Sequence, residues 1–277
     1  MKIYMFHYVT RNFNYPHFDL NYFDKKIDEL KRKYKIISLS DINNQNLKNC
    51  NKELLLLTFD DGTIDHYNEV FPILKKHNVS GVFFINSNSE NNHIFSVHYI
   101  HKLLSVVDIK DLYNAIIELD SKKFQNYMVS NNSGYDNDIT YKVKRFLQEE
   151  DNRNILKKII EIYKISTNYN DYYISVAQIK EMKSQGMEFG MHTQNHKRLS
   201  QLSYDEQYNE IKKNYEFFIK HNIFSKVKSL SFPFGEYNDN TINIANKLGI
   251  NYLFGIDGIG TGNDNILFRL DCNVLKE

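Results

Sequence analysis

Tryptophan is absent from this 277-residue chain, cysteine occurs twice, and neither sign of charge dominates. Each shortage removes a class of protein. Cys50 stands in a polar Asn/Lys stretch and Cys272 ends the last apolar run, a placement that offers no disulfide framework. Lys+Arg 35 against Asp+Glu 34 leaves a formal net charge of +1, so electrostatics give no reason to expect a nucleic-acid partner. No apolar run nears the ~20 residues that a bilayer-spanning helix requires. The opening Met1-Lys2-Ile3-Tyr4-Met5-Phe6-His7 turns polar too early for a signal peptide, and the expectation is a cytoplasmic protein or one acting at the inner face of the membrane. Large rings come instead from 20 Tyr and 19 Phe, which stack on sugars but more often fill cores.

What is present is an ordinary folding composition, 42% hydrophobic and 25% charged, in a chain long enough for one full core. Short apolar, β-rich runs at 2–7, 35–39, 54–59, 81–85, 187–191, 227–232, 251–254 and 266–270 alternate with helical patterns. In the segment 20–34, Phe23, Ile27 and Leu30 share one face. Segments 67–77, 175–185 and 241–248 read similarly and are closed by Asn78, Gly186 and Gly249, residues suited to helix C-termini. Alternation of this kind predicts an α/β fold of βα units with parallel strands. The stretch 90–173 breaks it: Asn-, Lys- and Tyr-rich, with helical runs at 98–119 and 139–164 and no strand. It is expected to be a helical insertion within a single domain spanning 1–277, either on the face that carries the chemistry or as a packing appendage. Polar stretches at 43–51, 87–92 and 131–138 are expected to be exposed loops.

Two strings carry chemistry. Thr58-Phe59-Asp60-Asp61-Gly62 puts adjacent carboxylates at the exit of the run 54–57, and His192-Thr193-Gln194-Asn195-His196 puts two imidazoles four residues apart after 187–191. Taken singly, the first also fits a plain turn and the second two unrelated histidines. Together, at the ends of two buried strands, Asp61, His192 and His196 offer three ligands for a divalent cation with room for water. Asp60 beside them is placed to accept a proton, which is the equipment of metal-assisted hydrolysis. Zinc suits this mixed donor set, as do cobalt, manganese, nickel or iron(II). Asp65 and His66 follow closely and are candidates for the pocket wall.

These strings resemble the first two motifs of the polysaccharide deacetylase family, the carbohydrate esterases with a NodB homology domain. Ser231-Phe232-Pro233-Phe234-Gly235 is similar to its third motif, with Ser where the family has Arg. The resemblance implies a distorted TIM-like (β/α) barrel of about seven parallel strands, with catalytic residues at the C-terminal strand ends. It also implies that the Phe234 N–H donates to an oxyanion. With the family's Arg missing, Arg269, isolated in the apolar strand 266–270 where a lone charge would be costly, is the candidate to balance Asp60; an edge-strand Arg reaching solvent is the alternative. The family's late His is missing too. His7, in an opening similar to the Tyr-His-x-Val of members with permuted motif order, is the candidate general acid.

The expected function is metal-dependent removal of an N-acetyl or other N-acyl group from an amino sugar, in a polysaccharide, lipid-linked glycan or sugar nucleotide, in the setting of surface-polysaccharide assembly. Deformylation or O-deacetylation of a related sugar, and glycan binding without catalysis, are the competing expectations.

Overall fold

The computed structural model describes residues 1–11, 17–45, 47, 50–87, 92–130, 138–256 and 266–272. The polar stretches expected as loops fall partly outside the described residues, at 46, 48–49, 88–91 and 131–137. Two compact units are present, one formed by Met1–Arg11, His17–His93 and Tyr173–Glu277, the other by Ile94–Tyr172.

The first unit is a closed parallel barrel. Its strands are β1 (Lys2–Phe6), β5 (Leu54–Phe59), β6 (Val82–Ile85), β7 (Glu188–Met191), β8 (Ser229–Ser231), β9 (Tyr252–Ile256) and β10 (Ile266–Asp271), each hydrogen-bonded to the next in ring order. Five consecutive pairs between β1 and β5, from Lys2 with Leu55 to Phe6 with Phe59, close the ring. The short β4 (Lys35–Ile36) pairs with the first two residues of β5, on the edge that β6 occupies further along. Where the sequence predicts a strand through 39, the chain instead enters a 3-10 turn at Leu39–Asp41, because Asp41 caps the Ser38 N–H and hydroxyl. A further two-stranded pair, β2 (Val9–Thr10) with β3 (Phe18–Asp19), was not expected; runs of two residues carry no periodicity to detect.

Side-chain alternation divides the strands between two cores. Leu55, Leu57, Phe59, Phe83, Phe189 and Leu230 pack outward with helix residues Phe23, Ile27, Ile179, Ile211 and Ile244. Leu56 faces the other way, with Ile3, Val82, Phe84 and Phe254. Continuing that parity past Leu56 brings Thr58 and then Asp60 to the barrel interior. The interior is thinned at Gly190, where an added Cβ would stand 2.4 Å from both the Phe84 ring and the Ser229 hydroxyl.

The outer helices are capped as their sequences dictate. In α1 (Leu20–Lys33), Asp19 accepts from the Tyr22 N–H, and Leu20, Phe23, Ile27 and Leu30 are buried. α2 (Phe71–Lys76) follows a π turn at His66–Val70. Ser175 with Gln178 and Ser203 with Glu206 form capping boxes at α7 (Val176–Ser184) and α8 (Tyr204–Lys220). Asn238 begins α9 (Asp239–Lys247) in the same way.

Among its described residues the second unit contains helices and no named strand: α3 (Ser96–Val106), α4 (Ile109–Ser130), α5 (Ile139–Gln148) and α6 (Arg153–Ile162). Its core includes Leu112, Ile116, Phe124, Val143, Phe146 and Ile159, with Phe124 edge-on to Phe146 at 4.8 Å. The helical run expected at 98–119 is divided at Asp108, which accepts from the Lys110 N–H, and the run expected at 139–164 is divided by a 3-10 turn at Glu150–Asn152. α4 continues past 119, and Asp120, at φ −159°, kinks it while accepting from the Lys123 N–H. Among the described residues, no helix is long and apolar enough to cross a membrane.

Candidate active site

At the exit of β5 the backbone departs from strand geometry. Asp61 has φ +76° and Gly62 φ +63°, so two successive left-handed residues turn the chain. For an Asp this conformation is uncommon and costs of order 1 kcal/mol or more. Three further non-glycine residues share it at the ends of β7 and β8: Thr193 (φ +63°), His196 (φ +54°) and Phe234 (φ +60°). Four strained residues at neighbouring strand ends mark where the fold holds side chains in place against local preference.

Asp61, His192 and His196 converge. One ligand atom from each lies within 4.8 Å of the others. Asp61 Oδ1 stands 3.4 Å from His192 Nε2 and 3.2 Å from His196 Nε2. His192 donates its Nδ1–H to the Ser231 carbonyl at 2.9 Å; since a carbonyl only accepts, Nε2 is left to face Asp61. Burial opposes charge on His192, but the Asp60 charge and the hydrogen bond to Asp61 raise its pKa above 6.5. A buried carboxylate and two imidazoles with their nitrogens turned to one point are a chemically suitable donor set for a divalent cation.

Asp60 faces Arg269. The guanidinium Nη1 donates to Asp60 Oδ1 at 2.7 Å and Nη2 to Oδ2 at 2.8 Å. Its other donors reach the Thr58 hydroxyl (3.3 Å), the Ser231 hydroxyl (2.8 Å) and, from Nε, the Gly255 carbonyl (3.2 Å). All five N–H groups therefore have acceptors, the condition for tolerating a cation that is 0% exposed. Ser231 in turn donates to Asp60 Oδ2 at 3.2 Å. Burial pushes the Asp60 carboxyl up, but the Arg269 and His192 charges and the paired hydrogen bonds outweigh it and hold it at about 2. The alternative of Arg269 reaching solvent from an edge strand is excluded: β10 lies between β1 and β9.

His7 leaves β1 half-buried at its C-terminal end, and its charge also contributes to lowering the Asp60 pKa. Phe234 lies beside the histidines, its ring 4.7 Å from that of His196 and 4.0 Å beneath the Arg198 guanidinium, which pairs with Glu236. Asp65 and His66, expected on a pocket wall, are instead buried against the main chain of residues 7–9.

Other residues here are not obvious from the motifs. Asn214 on α8 accepts from the His192 N–H and donates to the Ile85 carbonyl, while Asn86 donates to the His192 carbonyl. Glu210 accepts from the Asn195 backbone and side-chain amides. The available signal was a polar residue within the apolar stripe of a helix: Asn214 is buried in α8 with Ile211, Phe217 and Phe218.

A sequence profile described as polysaccharide deacetylase matches residues 48–253, and the chain belongs to that family. The fold is shared with solved structures of low identity. The Streptococcus pyogenes deacetylase PplD in complex with acetate is 21% identical, with TM-score 0.58 over 98% of this chain and 90% of that one. A de-N-acetylase from Aggregatibacter actinomycetemcomitans is 16% identical, with TM-score 0.59 over 97% and 93%. IcaB from Ammonifex degensii is 15% identical, with TM-score 0.58 over 98% and 90%. Among curated proteins there is no match.

Proposed function

We propose that the protein is a metal-dependent hydrolase that removes an N-acyl group, acetyl in the first instance, from an amino sugar of a glycan or glycan precursor. The observation that carries this reading is the pairing of two unlike carboxylates on adjacent residues: Asp61 turned to two imidazoles, Asp60 clamped by Arg269. Membership of the polysaccharide deacetylase family supports the substrate class.

Asp61, His192 and His196 would hold a divalent cation, zinc being the best match to the donors. When bound, that ion supplies polarisation of the acyl carbonyl and acidification of water. Asp60 stays ionised at neutral pH and takes a proton from the attacking water, its orientation fixed by Arg269 and Ser231. The Phe234 N–H, on a residue with φ +60°, donates to the oxygen that gains charge, a contact of a kind whose loss costs about 3 kcal/mol of barrier. His7 gives a proton to the departing amine nitrogen.

Acetate release from N-acetylated amino-sugar oligomers, measured on chelator-treated and metal-restored protein, tests the reading. Activity is expected only after restoration, and Asp60→Asn is expected to abolish it at unchanged metal content. Formate release from formylated sugars alone would change the acyl group assigned; glycan binding with no hydrolysis after metal restoration would overturn the hydrolase reading.

A further inference from the structure

The tripeptide carrying His7 leaves the barrel before it can be held by strand pairing. Phe6 still accepts from the Asp60 N–H at 3.0 Å, but β2 begins only at Val9. Between them the Tyr8 carbonyl accepts from the Phe18 N–H at 2.8 Å. The other two anchors come from one place. Asp65 Oδ2 accepts from the Val9 N–H at 2.8 Å, and His66 Nε2 lies 2.8 Å from the His7 carbonyl.

His66 is an unusual choice for its surroundings. It is 0% exposed, with ring centroids 5.7 Å from Phe59 and 5.6 Å from Phe83, and its Nδ1 has no hydrogen-bond partner among the described residues. Because its partner at Nε2 is a carbonyl, which only accepts, Nε2 carries the hydrogen and donates. An apolar ring of similar shape would fill this slot but take away the donor to the His7 carbonyl, so it is the hydrogen bond, and not packing, that calls for the imidazole. A π turn also starts at His66, a distortion frequent at functional sites.

We propose that Asp65 and His66 are positioning residues that clamp the main chain on either side of His7 and so hold its imidazole where it can protonate the leaving nitrogen. The inference rests on the reading of His7 as proton donor. Both clamp residues belong to the segment that follows Asp60 and Asp61, so the strand exit that presents the base also sets the acid. A proton donor works only within hydrogen-bond reach of its target. A misplacement of about 1 Å can cost on the order of 10²-fold in rate.

The test compares two substrates on metal-restored, full-length protein: an N-acetylated amino sugar, whose amine must be protonated to leave, and an aryl acetate, whose phenolate leaves without a donor. His66→Phe keeps the ring packing and removes the donor. It is expected to lower kcat on the amide by roughly 10- to 100-fold with little change in KM, while changing ester turnover by less than about 3-fold. His66→Gln, which restores a donor, should recover most of the loss. Asp65→Ala should repeat the selective loss and Asp65→Asn, whose amide oxygen still accepts, should repair it. His7→Ala sets the benchmark, and His7→Ala combined with His66→Phe should be no slower than His7→Ala alone. If His7→Ala is amide-selective but His66→Phe and Asp65→Ala damage both substrates equally, or neither, the clamp is refuted. If His7→Ala itself hits both substrates equally, the assignment of His7 fails first and the clamp with it. Should His66→Phe not fold, the Asp65 pair decides.

Discussion

Arg269 and Asp60 meet as a planar, two-bond ion pair across 209 positions of sequence, with Nη1–Oδ1 at 2.7 Å and Nη2–Oδ2 at 2.8 Å, both side chains enclosed. Ser231 sits at the junction, accepting from the Arg and donating to the Asp. The residue that stands where the third motif ordinarily has Arg has thus not been emptied of purpose. Its small hydroxyl makes room for a guanidinium arriving from β10 and links it to the carboxylate.

Removing one partner of such a pair leaves the other buried and uncompensated. Arg269→Ala is expected to lower unfolding free energy by about 3–5 kcal/mol, measured by denaturant titration, and to reduce turnover severely. Adding Ser231→Arg to Arg269→Ala returns a guanidinium from the neighbouring position and should recover part of both losses. No recovery would mean that the direction of approach, and not only the charge, is essential.

Asp60 also predicts acid behaviour. Its folded pKa of about 2 lies below the unfolded value near 3.9, so the unfolded chain binds more protons between them and stability rises with pH across that window. The contribution, roughly 2 kcal/mol, is present above about pH 4 and is lost as pH falls toward 2. Thermal unfolding of metal-free protein between pH 2 and 5 should show this slope, and Asp60→Asn should flatten it.

His192 has the opposite sign. Its folded pKa is raised above 6.5, so in metal-free protein its stabilisation is complete below the unfolded value and is lost as pH rises through the folded one. A cation needs the neutral imidazole, and binding must release that proton. Metal affinity should therefore increase from pH 6 to pH 8 with proton release detectable by calorimetry in two buffers of different ionisation heat. The stabilisation produced by added zinc should be larger at pH 8, and absent in His192→Ala.

Gly190 tests the interior. A Cβ there would meet Phe84 and the Ser229 hydroxyl at 2.4 Å, in a barrel whose strands cannot move apart independently. Gly190→Ala should cost about 1–3 kcal/mol or more by urea unfolding. It should also lower metal affinity, because His192 follows the end of β7 only two residues further along the chain. Gly186→Ala provides a contrast, since an added Cβ there meets nothing within 4 Å and only the φ of +89° opposes it.

Much of this protein is written locally. Apolar runs bounded by Asp, Asn and Gly located the barrel strands to within one or two residues for most of them, because pleat, burial and turn chemistry are properties of a few adjacent side chains. Asp60-Asp61 and His192-x-x-x-His196 were legible for the same reason: each string holds its donors close along the chain. Contacts over long separations were legible only in part: Arg269 was a candidate to balance Asp60, with a solvent-facing alternative open. Asn214 reads as one more polar residue of α8 until the fold sets it against the His192 N–H, and the 3-10 turn at Leu39 follows from a cap that periodicity does not record. Sequence by itself determined the alternation, the caps and the supply of reactive groups. Only closure of the barrel, in which β1 pairs with β5 on one side and with β10, from the opposite end of the chain, on the other, decided that Arg269 would answer for Asp60 and that His7 would be tied to Asp65 and His66. Barrel closure is a cooperative, long-range event, and the parity of each strand, set when it pairs, selects which side chains face one another inside.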